Sequence, residues 1–248
     1  MSIENLRTGI DEIDSEIIRL LNRRCELARQ IGAWKHENNL PIYVPEREQQ
    51  LLDRLADHNP GPLDRDSLIA IYREIMSAAI KLEQPMNIAF LGPEGTFSHQ
   101  AVLEKFGRGV TCQPVPTIAD VFSAVEAGRA DYGMVPVENT TEGVVNPTLD
   151  SLTEANVRIV AEFNLPVHLL LYSASPLSEI RCVYSHQQPL GQCREYLRAN
   201  LPNATLIEVT STTRAVELAE RERDAAAISG KLAGDNTDLP VVAENIED

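Results

Sequence analysis

Four basic side chains and one carboxylate in the first third of the chain stand where helices should bury carbon. In "IDEIDSEIIRLLNRRCELARQIGAWK", residues 10–35, Ile10, Ile13, Ile17, Leu20, Leu27 and Ile31 recur at spacings of three and four. That is the apolar stripe of an amphipathic helix. Between Leu20 and Leu27 the stripe calls for another apolar residue, and the sequence supplies Arg24, with Lys35 three turns further on nearly the same face. Arg7 precedes them, Arg47 shares a helix face with Leu51 and Leu55, and Glu83 ends an inward stripe of Ile69, Tyr72, Met76, Ala79 and Ile80. A single polar residue in a helical core usually only sets register. Several cations and one carboxylate at inward positions describe instead a polar pocket inside a helical bundle, suited to a small polyanion.

A second polar set falls later, at the ends of β-rich runs. "MNIAFLGPEGTFSHQAVLEKF" reads as a strand, a glycine-containing turn and a helix. Its GPEG spacing is neither a dinucleotide fingerprint nor a phosphate loop, so nucleotide binding is not indicated. The helix start near Thr96 and Ser98 is a ready anion site, and the same two residues are equally good as helix caps. "VENTTEG", "SHQQPLGQC" and "TSTTRA" are three further strand ends rich in polar residues. In open α/β sheets ligands bind at the carboxyl ends of strands, so these ends can line one site.

The elements that must hold these residues differ on either side of residue 85. Residues 1–84 are helical in pattern, with expected helices over 3–38, from Pro45 through "EREQQLLDRLAD", and over "RDSLIAIYREIMSAAIKLE" with Asp64 as cap. So long a helix with two shorter ones cannot bury its stripe alone, which predicts a helical homodimer. Pro85 marks the boundary. From residue 86 onward strands alternate with helices, which predicts helices flanking a mostly parallel sheet. "VRIVAEFNLPVHLLLYS" reads as a long β-rich stretch, and its crossing suggests two lobes with a cleft between them.

Composition narrows the partners. A net charge of −15 argues against nucleic acid and anionic membrane, and no apolar run approaches membrane-spanning length. The four cysteines have no metal-ligand spacing and read as reduced structural thiols. "MSIENLRTGIDEID" carries no signal peptide, so a cytoplasmic location is expected.

"LRTGIDEID", "LLNRRCELARQIGAWK", "PEREQQLLDRL" and "YREIMSAAIKLEQ" together resemble the all-helical chorismate mutase domain, across nearly all of residues 1–84. The resemblance implies that Arg24 and Arg47 hold the carboxylates of chorismate, with Arg7 reaching over from the other subunit. It gives Lys35 the ether oxygen on which negative charge develops, and Glu48 the ring hydroxyl. Glu83 stands where relatives have glutamine or glutamate; to donate to the ether oxygen it must be protonated. Val44 and Ala79 depart from the acidic residue and the serine that many relatives carry there.

"GPEGTFSHQA", "DYGMVPVENTTEGVVNPTLD", "VYSHQQPLGQC" and "TSTTRAVELA" resemble prephenate dehydratase, in order and spacing, from residue 87 onward. The implied fold is a two-lobed α/β domain like the periplasmic binding proteins. The implied cleft residues are Glu138, Asn139, Ser185 and Gln192, with Thr96, Ser98, Ser211 and Thr212 beside them. His186 is given no role as a base. Neither resemblance implies a cofactor or a metal, and the implied substrates are chorismate and prephenate. Relatives continue past "ENIED" into a strand with a Thr-Arg-Phe motif and a regulatory domain binding phenylalanine. The expectation is therefore an incomplete α/β domain with little dehydratase activity. A rival reading, a non-catalytic two-lobed receptor with a helical dimerisation domain, leaves Arg24, Lys35 and Arg47 unexplained.

Overall fold

A computed structural model describes residues 2–38, 40, 43–83, 86–140, 143–235 and 237–248. The expected boundary at Pro85 lies outside the described residues. Two compact units are present: Met1–Asn87 with Phe106–Thr111, and Ile88–Lys105 with Cys112–Asp248.

The first unit is built on α1 (Ile3–Glu37), α2 (Pro45–Asp57) and α3 (Arg65–Glu83). Local chemistry accounts for each start. Ser2 accepts from the N–H of Asn5 at 3.3 Å, Pro45 occupies the first position of α2, and Asp64 accepts from the N–H of Ser67 at 2.8 Å. α1 packs against α3, and α3 against α2. In α1 the only buried residue is Gly32. The stripe that predicted burial, Ile10, Ile13, Ile17, Leu20, Leu27 and Ile31, is exposed in this chain, Ile13 by 59%. A loop from later in the sequence completes the unit: Ser77 accepts the Gly109 N–H at 2.7 Å, and the Tyr43 and Phe106 rings meet at 5.1 Å.

The second unit has two lobes. The first holds β1 (Asn87–Leu91), β2 (Thr111–Val115) and β3 (Tyr132–Met134) in the order β2-β1-β3, with α4 (Phe97–Phe106) and α5 (Ile118–Glu126). A hairpin of β4 (Glu138–Asn139) and β5 (Gly143–Val144) and the helix α6 (Asn146–Glu154) follow. The second lobe holds β6 (Leu170–Ser173), β7 (Cys182–Ser185), β8 (Thr205–Glu208), β9 (Ala225–Ser229) and β10 (Val241–Ala243), in the order β10-β6-β9-β7-β8. β7 is parallel to β8 and β9, whereas β6 and β10 are antiparallel to their neighbours. Helices α7 (Gln187–Gln192), α8 (Arg194–Asn200), α9 (Thr212–Ala219) and α10 (Lys231–Gly234) cover it.

The long β-rich stretch is mostly not a strand. Only Leu170–Ser173 of it forms a strand, and residues 156–169 find no ladder partner among the described residues. An extended segment without a neighbour cannot complete a ladder, whatever its residue types. Near its end the segment runs beside the C-terminal residues: Leu169 O accepts from the Ile246 N–H at 3.0 Å. The Glu247 carboxylate takes the Leu169 N–H at 2.8 Å and lies 3.0 Å from His168.

Candidate active sites

In the helical unit three of the candidate residues gather where α1 meets the last turn of α3. Glu83 is half-buried against Gly32, and its environment includes both Lys35 and Arg24. Burial is the dominant influence and holds the Glu83 carboxyl above its usual range, while Lys35 and Arg24 pull the other way. The Arg24 Nη1 is buried and has no hydrogen-bond partner. An orphaned guanidinium nitrogen on an apolar stripe is unfavourable unless something else binds there. A carboxylate of a small anion can supply that partner.

The other sequence candidates stand elsewhere on α1 and α2. Arg47 and Glu48 stand in the first turn of α2, Arg47 exposed and Glu48 half-buried. Arg7 is exposed in the first turns of α1. It lies seventeen residues before Arg24 in the same helix, about 26 Å along the axis at 1.5 Å per residue. The structure therefore brings together Arg24, Lys35 and Glu83, and leaves Arg7 out of reach of them within one chain.

In the α/β unit the GPEG turn seats the start of α4 on the second lobe. The Thr213 hydroxyl donates to Glu94 O at 2.8 Å. Gly95 has a φ of +81°, and a Cβ on it would come within 2.8 Å of the Thr213 hydroxyl oxygen, so both the conformation and the space require glycine. Gly230, directly after β9, lies against the Phe97 ring with no room for a side chain. The starts of α4 and α9 thus lie close together, and they carry Thr96, Ser98, Ser211 and Thr212.

Several of these hydroxyls already have structural partners. Thr96 Oγ1 donates to Pro93 O at 2.9 Å and accepts from the His99 N–H at 3.4 Å, the bonding of a helix cap. Ser211 caps α9 by accepting from the Arg214 N–H at 3.1 Å. Ser185 is wholly buried at the end of β7 and donates to Ile228 O at 2.7 Å, tying β7 to β9. Thr212 is buried, Gln192 is half-buried at the end of α7, and Ser98 is half-buried in the first turn of α4. Glu138 and Asn139 sit on the β4–β5 hairpin, Glu138 exposed and without a side-chain bond among the described residues. His186 caps α7, its Nδ1 accepting from the Gln188 N–H at 3.4 Å, a structural role.

The chorismate mutase type II family matches residues 6–84 and the prephenate dehydratase family matches residues 88–248. A bifunctional chorismate mutase/prephenate dehydratase of Aquifex aeolicus is 47% identical over 251 aligned residues, which cover 99% of this chain and 69% of the relative. The chain belongs to the bifunctional chorismate mutase/prephenate dehydratases. Two solved structures support the α/β part of that assignment. The prephenate dehydratase of Arthrobacter aurescens, solved in complex with L-Phe, is 34% identical with a TM-score of 0.60. It covers 65% of this chain and 55% of its own. The prephenate dehydratase of Staphylococcus aureus is 29% identical with a TM-score of 0.59, covering 66% of this chain and 61% of its own. The family places an isomerase and a carbon–oxygen lyase on one polypeptide, the helical segment first.

Three residues of this mutase–dehydratase chain were not singled out by sequence patterning. Gly32 faces Glu83, and a glycine inside the last turns of a helix was the available signal. The Arg73 Nε is buried without a partner, and nothing in the helical pattern distinguished that arginine from its exposed neighbours. His99 accepts the Gly95 N–H on Nδ1 at 3.0 Å and stacks on Phe90 with centroids 4.8 Å apart. An accepting Nδ1 requires a neutral ring, and burial accordingly pushes its pKa down, against the opposite pull of Glu94.

Proposed function

We propose that residues 1–84 rearrange chorismate to prephenate and that residues 86–248 dehydrate and decarboxylate prephenate to phenylpyruvate, two steps of phenylalanine biosynthesis. The observation that carries the first assignment is the grouping of Arg24, Lys35 and Glu83, with a guanidinium nitrogen of Arg24 buried and unsatisfied.

The rearrangement is unimolecular, so the protein needs no nucleophile and no cofactor. It must fold the substrate into a reactive shape and stabilise charge on the breaking ether bond. Arg24 and Arg47 bind carboxylates, Lys35 donates to the ether oxygen, and Glu48 takes the ring hydroxyl. Glu83, whose carboxyl burial holds above its usual range, is in its protonated form a second donor to the same oxygen. The remaining cation, Arg7, comes from the partner subunit of a homodimer. Two features support that dimer: the distance along α1, and the exposed stripe from Ile10 to Ile31.

In the α/β unit, Glu138, Asn139, Ser185 and Gln192 serve the dehydration and Thr96, Ser98, Ser211 and Thr212 border the cleft. Acid assistance to the departing ring hydroxyl is the chemical requirement there. No helix among the described residues is long and apolar enough to cross a membrane. The chain works in the cytoplasm, on small molecules, without nucleic acid or membrane.

The deciding experiment mixes the purified chain with chorismate and follows substrate loss by absorbance and products by chromatography. Prephenate appearing first is expected, and phenylpyruvate appearing later is the outcome the second assignment requires, against the little dehydratase activity expected from the sequence. Absence of chorismate loss in a folded, dimeric sample refutes the mutase assignment, and failure to consume added prephenate refutes the second assignment.

A further inference from the structure

We infer that Gly32 is a positioning residue for Glu83, the absence of a side chain at this one place on α1 setting where the Glu83 carboxyl stands in the mutase pocket. The inference rests on the proposed mutase function and extends it to a residue that touches no substrate. Glycine is, after proline, the least favourable residue inside a helix. Gly32 nevertheless lies near the end of a 35-residue helix, and it is the one buried residue of that helix.

The surroundings explain its presence. A Cβ at position 32 would stand 2.9 Å from Glu83 Cβ, 2.9 Å from Cγ and 3.0 Å from Oε2, where ordinary contact begins at 3.4 Å. The Cβ is fixed to the α3 backbone and cannot swing aside, and the Cγ moves only by rotation about Cα–Cβ, which carries the carboxyl with it. A methyl group would therefore move Glu83 by about half an ångström or more. Lys35 is one turn further along α1, so the same displacement changes the spacing between the two proposed donors. Misplacement by about 1 Å is enough to reduce turnover about a hundredfold in a preorganised site.

The test is a double-mutant cycle in the full chain with chorismate as substrate. Gly32→Ala should lower kcat about tenfold to a hundredfold and change KM by less than about threefold. In a Glu83→Ala background the added Gly32→Ala change should have almost no further effect on kcat. Undiminished kcat in Gly32→Ala overturns the inference. So does a loss that multiplies in full with that of Glu83→Ala, since the glycine would then act on packing at large. If Gly32→Ala does not fold, Glu83→Asp decides: drawing the carboxyl back by one methylene with Gly32 intact should reduce kcat with little change in KM, and wild-type kcat overturns the inference. A Glu83→Ala chain with full activity would instead refute the role given to Glu83. Wild-type chain inert toward chorismate would refute the mutase assignment itself.

Discussion

Replacing Arg24 by leucine should raise the stability of the helical unit while removing most of its activity. The position lies on the apolar stripe between Leu20 and Leu27, where leucine fits the periodicity. In the wild-type chain the Arg24 Nη1 is buried without a partner, an arrangement that costs about 1–3 kcal/mol. Arg24→Leu removes that cost and adds burial worth about 1 kcal/mol for a half-buried side chain. The expected gain is therefore about 2 kcal/mol or more, visible in urea unfolding followed by far-UV circular dichroism. Loss of a preorganised donor to an anionic substrate works in the opposite direction, by about 2.7–4 kcal/mol in the transition state, or roughly 10²–10³-fold in kcat/KM. Arg24 also draws Glu83 toward ionisation, so its removal moves the Glu83 pKa further up. Lower stability in Arg24→Leu would show that the guanidinium has a structural partner. Activity within about tenfold of wild type would remove Arg24 from the binding set.

Glu83→Gln addresses protonation: burial raises the Glu83 pKa, so the donating form persists above the ordinary carboxylate range and is lost as pH rises through the raised value. Mutase activity should therefore fall on the alkaline side and the Gln variant should lose that limb; the same limb in both proteins assigns it to another group. Ser185→Ala removes a buried 2.7 Å bond to Ile228 O and should destabilise the α/β unit by about 1–3 kcal/mol, and it should also lower dehydratase turnover per folded molecule. Lost stability with unchanged turnover per folded molecule would leave the hydroxyl with its structural bond alone and remove it from the chemistry. Ile17→Asp places a charge on the exposed α1 stripe and should dissociate the homodimer in sedimentation analysis and reduce mutase activity with it. An intact dimer would move the interface elsewhere.

Local chemistry was readable from the chain because it acts over a few residues. Pro45 starts a helix by its fixed φ, and Asp64 does so by a bond that closes within one turn. The period of the Ile10–Ile31 stripe was likewise enough to identify α1, and the cations that violate it raised the expectation of a pocket before any packing was known. Tertiary structure decided what depends on residues far apart. β9 is five buried residues, Ala-Ala-Ala-Ile-Ser, whose alanines favour helix by themselves. It is a strand because β6 and β7 bond it on both sides. Residues 156–169, richer in β-branched types, are not a strand, because among the described residues they meet no ladder partner. The approach of Glu83 to Gly32, and the bond from Thr213 to Glu94 across 119 positions, follow from how helices and lobes pack. Periodicity tells which face of an element is apolar; only packing tells which distant residue that face meets, and the candidate sites are made from such meetings.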